Sequence, residues 1–146
     1  MKAKDYLMRI RTMDADINAN IEELEMLKAL AEKTTSAIGG ERVQSTANLH
    51  KMEDYTIKIA ELKDKIPKDL GLYLEYKKNA RKLIRENCNA ECITLLNKRY
   101  FQNKKWEEVA LEMNFNFCWV SGRLHQKALA QLQKALDREE ENGNEI

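Results

Sequence analysis

Apolar side chains recur every three or four residues along the start of the chain, and this spacing predicts one long amphipathic helix over residues 3–33. The repeated positions are Tyr6, Ile10, Met13, Ile17, Ile21, Leu24, Leu27 and Ala31. The stripe is narrow and about nine turns long. A helix of this kind needs a partner helix, from the same chain or from another copy.

The pattern stops between Thr34 and Asn48, where Gly39 and Gly40 among Ser and Thr residues indicate a loop. A second stripe follows in a helix that Asn48 would cap, at Leu49, Met52, Tyr55, Ile59, Leu62 and Ile66. The simplest pairing is an antiparallel, coiled-coil-like hairpin over residues 1–67. The second helix is shorter than the first, so we expect a second protomer to cover the remaining stripe in a homodimer.

Pro67 is expected to restart the chain, because proline suits the first helical position and disfavours a helical residue before it. The connecting segment 68–89 would hold a third helix that ends at residue 87. Its inner positions would be Leu70, Tyr73, Leu74, the stem of Lys77, Ala80, Leu83 and Ile84. A fourth helix over residues 90–101 would bury Ile93, Leu96, Tyr100 and Phe101.

Residues 90–136 are predicted to form a helix-turn-helix domain. Val109, Ala110 and Met113 share one face of a first short helix, and the segment 114–116 breaks the pattern. The inner face of a second helix, about 116–136, then shows Val120, Leu124 and Ala128. The separation of ten positions from Ala110 to Val120 allows a small residue to meet an apolar one where the helices cross. The fold class is therefore all-α, a helical hairpin followed by a helix-turn-helix bundle.

The charge of the chain is distributed unevenly, although the net charge is only +1. Residues 68–136 carry 13 basic and 7 acidic side chains, whereas residues 137–146 form an acidic tail. Positive charge thus coincides with the helix-turn-helix, as phosphate contacts require. No apolar run suggests a membrane span and no secretion signal is evident, and the three cysteines do not suggest a disulfide framework. We therefore expect a cytoplasmic protein.

Three segments resemble region 4 of bacterial sigma factors, the helical module that binds a promoter element and the flap of RNA polymerase. They are Leu95 to Phe101, Lys105 to Met113, and Val120 to Leu129. The N-terminal part is similar to small phage-encoded, sigma-region-4-like proteins at Lys4 to Leu7, Arg42 to Ser45 and Lys51 to Asp54. Related phage proteins of the RinA and ArpU types activate late genes. The resemblance implies a phage or prophage transcription regulator, located in the host bacterial cytoplasm and associated with the nucleoid.

The candidate DNA-binding residues follow from placing the second helix in the major groove. Phosphates would be held by Lys104, Lys105, Arg123 and Lys127, with His125 beside them on the outer face. Asn116 would cap the helix, and the residues facing bases would be Phe117, Cys118, Ser121 and Gly122. The charged readers of the sigma module are missing at these four positions. Trp106 and Trp119 are expected to pack inward.

Other kinds of chemistry find little support in the sequence. There is no phosphate-binding glycine loop, no catalytic Ser/His/Asp order and no Cys-x-x-Cys pair, so we expect neither an enzyme nor a metal or cofactor site. Three functions remain open. The first is a regulator that binds double-stranded DNA and acts with host RNA polymerase. The second is a polymerase-binding or sigma-binding protein that does not read DNA, and the third is a small-terminase-like packaging subunit.

Overall fold

The computed structural model describes residues 1–38 and 46–144, and all of the regular structure within them is helical. The predicted all-α class is confirmed. The helices are α1 (Ala3–Ile38), α2 (Thr46–Asn87), α3 (Ala90–Leu96), α4 (Trp106–Met113) and α5 (His125–Asn144). A π-helical turn, Asn97–Phe101, continues α3, and a second one, Trp119–Leu124, leads directly into α5. None of the helices in these two ranges has the length and apolar character needed to cross a bilayer.

The predicted restart at Pro67 is wrong, because α2 continues through this residue. Proline in a helix interior removes one backbone hydrogen bond and costs about 3 kcal/mol. Pro67 is exposed and lies within a helix of 42 residues. The remaining turns of α2 therefore offset the local loss.

The loop predicted between Thr34 and Asn48 is shorter than expected at both ends. Helix α1 extends to Ile38 and α2 already begins at Thr46, so Asn48 lies inside a helix and is not its N-cap. Gly39 and Gly40 lie outside the described residues. Hydrophobic periodicity marks only residues that meet a partner, and polar helix ends therefore look like loop.

Residues 14–72 form one compact unit, built from most of α1 and the first part of α2. Few of its side chains are deeply buried. Ile17 and Leu27 are 7% exposed, whereas Met26 is 64% and Ile57 is 57% exposed. The two helices meet at Thr35 and Met52, whose Oγ1 and Sδ atoms lie 3.6 Å apart. This unit has a thin apolar seam.

Residues 1–13 form the other compact unit together with the chain from Tyr73 onward. Its core side chains are fully buried and include Leu7, Ile10, Ile84, Leu95, Leu96, Val109, Val120, Leu124 and Leu132. The start of α1 is held by polar contacts as well. The Ala3 amide donates to Gln133 Oε1 at 2.7 Å, and the Tyr76 hydroxyl donates to the Tyr6 carbonyl at 2.8 Å. The first turns of the chain thus complete the core of this second unit.

The predicted inner face of the third helix is partly wrong. Tyr73, Ala80, Leu83 and Ile84 are buried as expected. Leu70 and Leu74, however, are 41% and 55% exposed. Both residues fit the helical spacing of three and four positions. Each of them nevertheless lies at the edge of the buried face of its own unit and not within that face.

Candidate nucleic-acid interface

Helix α4 is bounded by local backbone contacts that its sequence provides. The Glu108 carboxylate reaches back to the backbone N–H of Lys105, which precedes the helix, at 3.4 Å. Asn114 ends the helix in the left-handed region, with φ of 57°. Asparagine tolerates this conformation better than most residues. The predicted break at residues 114–116 is confirmed.

Asn116 caps the second helix, as its position predicted. Its Oδ1 accepts a hydrogen bond from the Cys118 amide at 2.8 Å, and its carbonyl accepts one from Val120 at 3.1 Å. Val120, Leu124 and Ala128 are fully buried behind this cap. Helix α4 contacts the Trp119–Leu124 turn, with Val109 and Ala110 buried on its side. The predicted inner faces of the two helices are confirmed, except that Met113 is only half-buried.

The π-helical geometry of Trp119–Leu124 changes which residues face outward. A π-helix has more residues per turn than an α-helix, so it shifts the angular position of every residue that follows. The outward stripe, as we call it, consists of Cys118, Trp119, Gly122, Arg123, Gln126 and Lys127, all exposed except the half-buried Gly122. Trp119 and Gln126 were not among the predicted contacts. Their spacing of three and four residues from Gly122 is the signal that could have identified them.

Neither close packing nor a positive φ requires a glycine at position 122. A Cβ atom built on it would meet nothing within 4 Å, and its φ is not positive. Glycine in a helix interior costs about 1 kcal/mol relative to alanine. The chain therefore carries a destabilising residue at the centre of the outward stripe, where the bare backbone is open to a partner.

Phe117 and Ser121 lie beside the outward stripe. Phe117 is 43% exposed, whereas Ser121 is half-buried and its hydroxyl donates to the Phe117 carbonyl at 2.8 Å. The serine side chain is thus already engaged in the first turn of the helix. Of the four predicted base-facing residues, Cys118 and Gly122 belong to the outward stripe itself.

His125 does not lie on the outer face, and this prediction is wrong. The residue is 7% exposed, and its Nε2 atom lies 2.7 Å from the Tyr100 hydroxyl. The edge of its ring meets Trp106, with 4.7 Å between the ring centroids. Burial, together with the positive charges of Lys4 and Arg99, lowers the pKa of His125 to about 4. A neutral, buried imidazole positions helices and does not hold phosphate.

The aromatic residues also differ from expectation. Trp119 was expected to pack inward but is 40% exposed, and Trp106 is only half-buried. The Arg99 guanidinium lies 4.6 Å from the centre of the Trp106 ring and donates to the Lys104 carbonyl at 3.0 Å. These contacts support the turn that leads into α4.

The four predicted phosphate-binding cations are not equally available. Lys105, Arg123 and Lys127 are exposed, and no carboxylate pairs with them among the described residues. Lys104, by contrast, contacts both oxygens of Glu112, with Nζ 2.7 Å from Oε2. Lys98 lies 3.4 Å from the same carboxylate. The hydrogen bond from Lys104 lowers the pKa of Glu112, so this carboxylate is charged at neutral pH.

An exposed apolar cluster surrounds the turn between the two helices. It consists of Leu111, Phe115, Phe117 and Trp119, and Leu111 reaches 79% exposure. Apolar side chains in this place can contact thymine methyl groups or a protein partner. The cluster therefore suits both of the leading functions.

No family model, curated protein or solved structure matches the chain in the three comparisons with known proteins. The likeness to sigma region 4 thus rests on the sequence motifs alone. In the part of the chain that the structure describes, no three His, Cys, Asp or Glu side chains come together as a metal site.

Proposed function

We propose that the chain binds double-stranded DNA through its helix-turn-helix and regulates transcription in a phage or prophage, acting at promoters with host RNA polymerase. The single observation that carries the proposal is the outward stripe. It joins an unobstructed backbone at Gly122 to two exposed cations, Arg123 and Lys127. An exposed helix face of this composition suits the sugar–phosphate edge of a major groove.

Base selectivity would be low in this proposal. The outward stripe offers Cys118, Trp119 and Gln126 toward base edges, and of these only the glutamine amide can make a bidentate hydrogen-bond pair with a base. Phosphate contacts would then supply most of the affinity. Specific promoter choice would come from polymerase or from DNA shape.

The proposal is tested by removing the two cations of the outward stripe. We expect Arg123→Gln/Lys127→Gln to weaken binding to a fluorescently labelled duplex about tenfold at 0.1 M salt. The log–log salt slope should shrink by about 2 units, because each phosphate contact contributes about 0.9. The matched control is Lys51→Gln/Lys58→Gln on α2, which removes the same charge from exposed positions. Equal effects of the two double variants would contradict a helix-turn-helix interface.

A second candidate function is polymerase or sigma-factor binding without DNA reading. The exposed apolar cluster favours it, because aromatic and leucine side chains are common anchors in protein interfaces. Leu111→Ser/Phe117→Ser should then abolish capture of purified RNA polymerase and leave the affinity for duplex unchanged. The reverse result, lost duplex binding with polymerase capture intact, would favour the first function.

A further inference from the structure

The part of α2 that belongs to the helix-turn-helix unit carries a dense group of cations. Lys77, Lys78, Arg81, Lys82 and Arg85 fall within nine residues, and we call them the α2 basic face. At 100° per residue they span an arc of about 140° around the helix. Residues 73–87 hold only two acidic side chains, at Glu75 and Glu86. The face is therefore strongly positive in its own right.

Glu86 and Glu139 line a cavity beside Lys82, but neither forms an ion pair with it. None of the ion pairs among residues 1–38 and 46–144 includes any of the five cations of the α2 basic face. Aromatic rings position two of them instead. The Arg81 guanidinium lies 5.1 Å and the Lys77 ammonium 5.9 Å from the centre of the Phe101 ring. Stacking of this kind fixes a cation and leaves its hydrogen-bond donors available.

The α2 basic face also has concave surroundings. A groove of about 650 Å³ runs along Leu74, Asn79 and the five cations. A second groove of about 290 Å³ shares Arg81 and Arg85 and is completed by Ile84, Ile93, Asn97, Phe101 and Gln102. The side-chain amides of Asn97 and Gln102 add further hydrogen-bond donors. Gln102 stands directly before the turn that carries Lys104 and Lys105.

We propose that the α2 basic face is a second phosphate-binding surface, which holds the backbone of the same double-stranded DNA beside the segment contacted by the helix-turn-helix. This inference rests on the proposed function and names a contact outside the helix-turn-helix. A row of unpaired cations with donor amides suits a line of phosphates, each with several acceptor oxygens. The surface would add affinity without sequence preference.

The test uses three cations of this face whose side chains are exposed, so that the core is not disturbed. We expect Lys78→Gln/Lys82→Gln/Arg85→Gln to weaken duplex binding by tenfold or more at 0.1 M salt. The log–log salt slope should fall by about 2 to 3 units. The matched control is Lys51→Gln/Lys58→Gln/Lys63→Gln on the same helix. Residues 46–72 carry five basic and five acidic side chains, so they offer phosphate no net attraction.

The outcomes separate this inference from the proposed function. If the wild-type chain does not bind duplex, both fail. If wild type binds and Arg123→Gln/Lys127→Gln weakens it, but the triple variant keeps the wild-type slope, the inference is overturned and the proposed function stands. Loss of polymerase capture in the triple variant with duplex affinity unchanged would assign the face to an acidic protein surface and also overturn it. Circular dichroism of each variant verifies that the fold is retained.

Discussion

The two compact units contain similarly regular hydrophobic stripes, but these stripes are buried to different depths. Among the described residues of the 14–72 unit, only Ile17 and Leu27 are deeply buried hydrophobic side chains. The unit of residues 1–13 and 73 onward encloses a core of leucine, isoleucine and valine from every one of its helices. A periodic stripe therefore indicates a helix with a partner, but it does not tell how deep the contact will be.

The largest expected difference between the units is in core truncation. Leu124→Ala should lower the free energy of unfolding by about 3 kcal/mol, because it leaves a cavity in a fully buried site. Leu24→Ala in the half-buried seam should cost about 1 kcal/mol or less. Urea denaturation followed by circular dichroism measures both. Equal losses would show that the two units are packed alike.

The unit with the deep core should also respond to pH through His125. Its pKa of about 4 in the folded chain lies below the ordinary 6.5, so the unfolded chain binds the proton more readily between these values. Stability is then fully present above pH 6.5 and is lost as the pH falls toward 4. Between pH 7 and pH 5 the loss should be about 2 kcal/mol.

The measurement is urea denaturation at both pH values for wild type and for His125→Gln. The pH-dependent difference between the two proteins should equal the loss assigned to His125. His50→Gln, at an exposed position in the other unit, removes the second of the two histidines and serves as the matched control. A profile for His125→Gln that matches wild type would refute the assignment.

A smaller effect distinguishes two glycines, one in each unit. Neither Gly71 nor Gly122 has a neighbour within 4 Å of an added Cβ. Gly71→Ala and Gly122→Ala should therefore each raise the free energy of unfolding by up to about 1 kcal/mol. Only Gly122→Ala should weaken duplex binding, by about fivefold, because its methyl group would separate the helix backbone from the phosphates. If both variants bind DNA like wild type, Gly122 is only a tolerated surface glycine.

The smallest effect concerns the carboxylate that engages Lys98 and Lys104. Glu112→Gln should strengthen duplex binding by about threefold, because it removes a negative charge and frees two cations for phosphate. Glu61→Gln, on the exposed side of the 14–72 unit, should have no effect. Fluorescence anisotropy at 0.1 M salt resolves this difference. A weaker complex for Glu112→Gln would mean that the ion pairs shape the interface.

Local sequence rules predicted the helix ends and buried positions between Trp106 and Ala128 well, because their determinants are near one another in the chain. The Asn116 cap, the end of α4 at Asn114 and the buried Val120, Leu124 and Ala128 all follow from spacing and side-chain chemistry. The predicted position of His125 on the outer, DNA-facing side was wrong. The π-helical turn before it rotates the ring inward, and periodicity at 3.6 residues per turn cannot reveal that change.

Long-range packing was the part that the sequence did not reveal. Ala3, Leu7 and Ile10 were assigned to a hairpin, but they are buried in the unit formed with the chain from Tyr73 onward. Likewise, Pro67 suggested a boundary between two helices, but α2 continues through this residue. The α2 basic face was missed because its cations were counted only in the overall charge balance. Its significance depends on the Phe101 ring, which lies sixteen residues beyond Arg85.

The salt dependence of duplex binding by the full chain tests the central claim most directly. Anisotropy titrations of a labelled duplex should be made between about 0.05 and about 0.3 M salt. The log of the binding constant should fall with the log of the salt concentration with a slope of about −4 or steeper, as several phosphate contacts require. In the proposed function, the exposed cations of the outward stripe and of the α2 basic face would provide these contacts. A flat response, or no binding at the lowest salt, would contradict DNA binding.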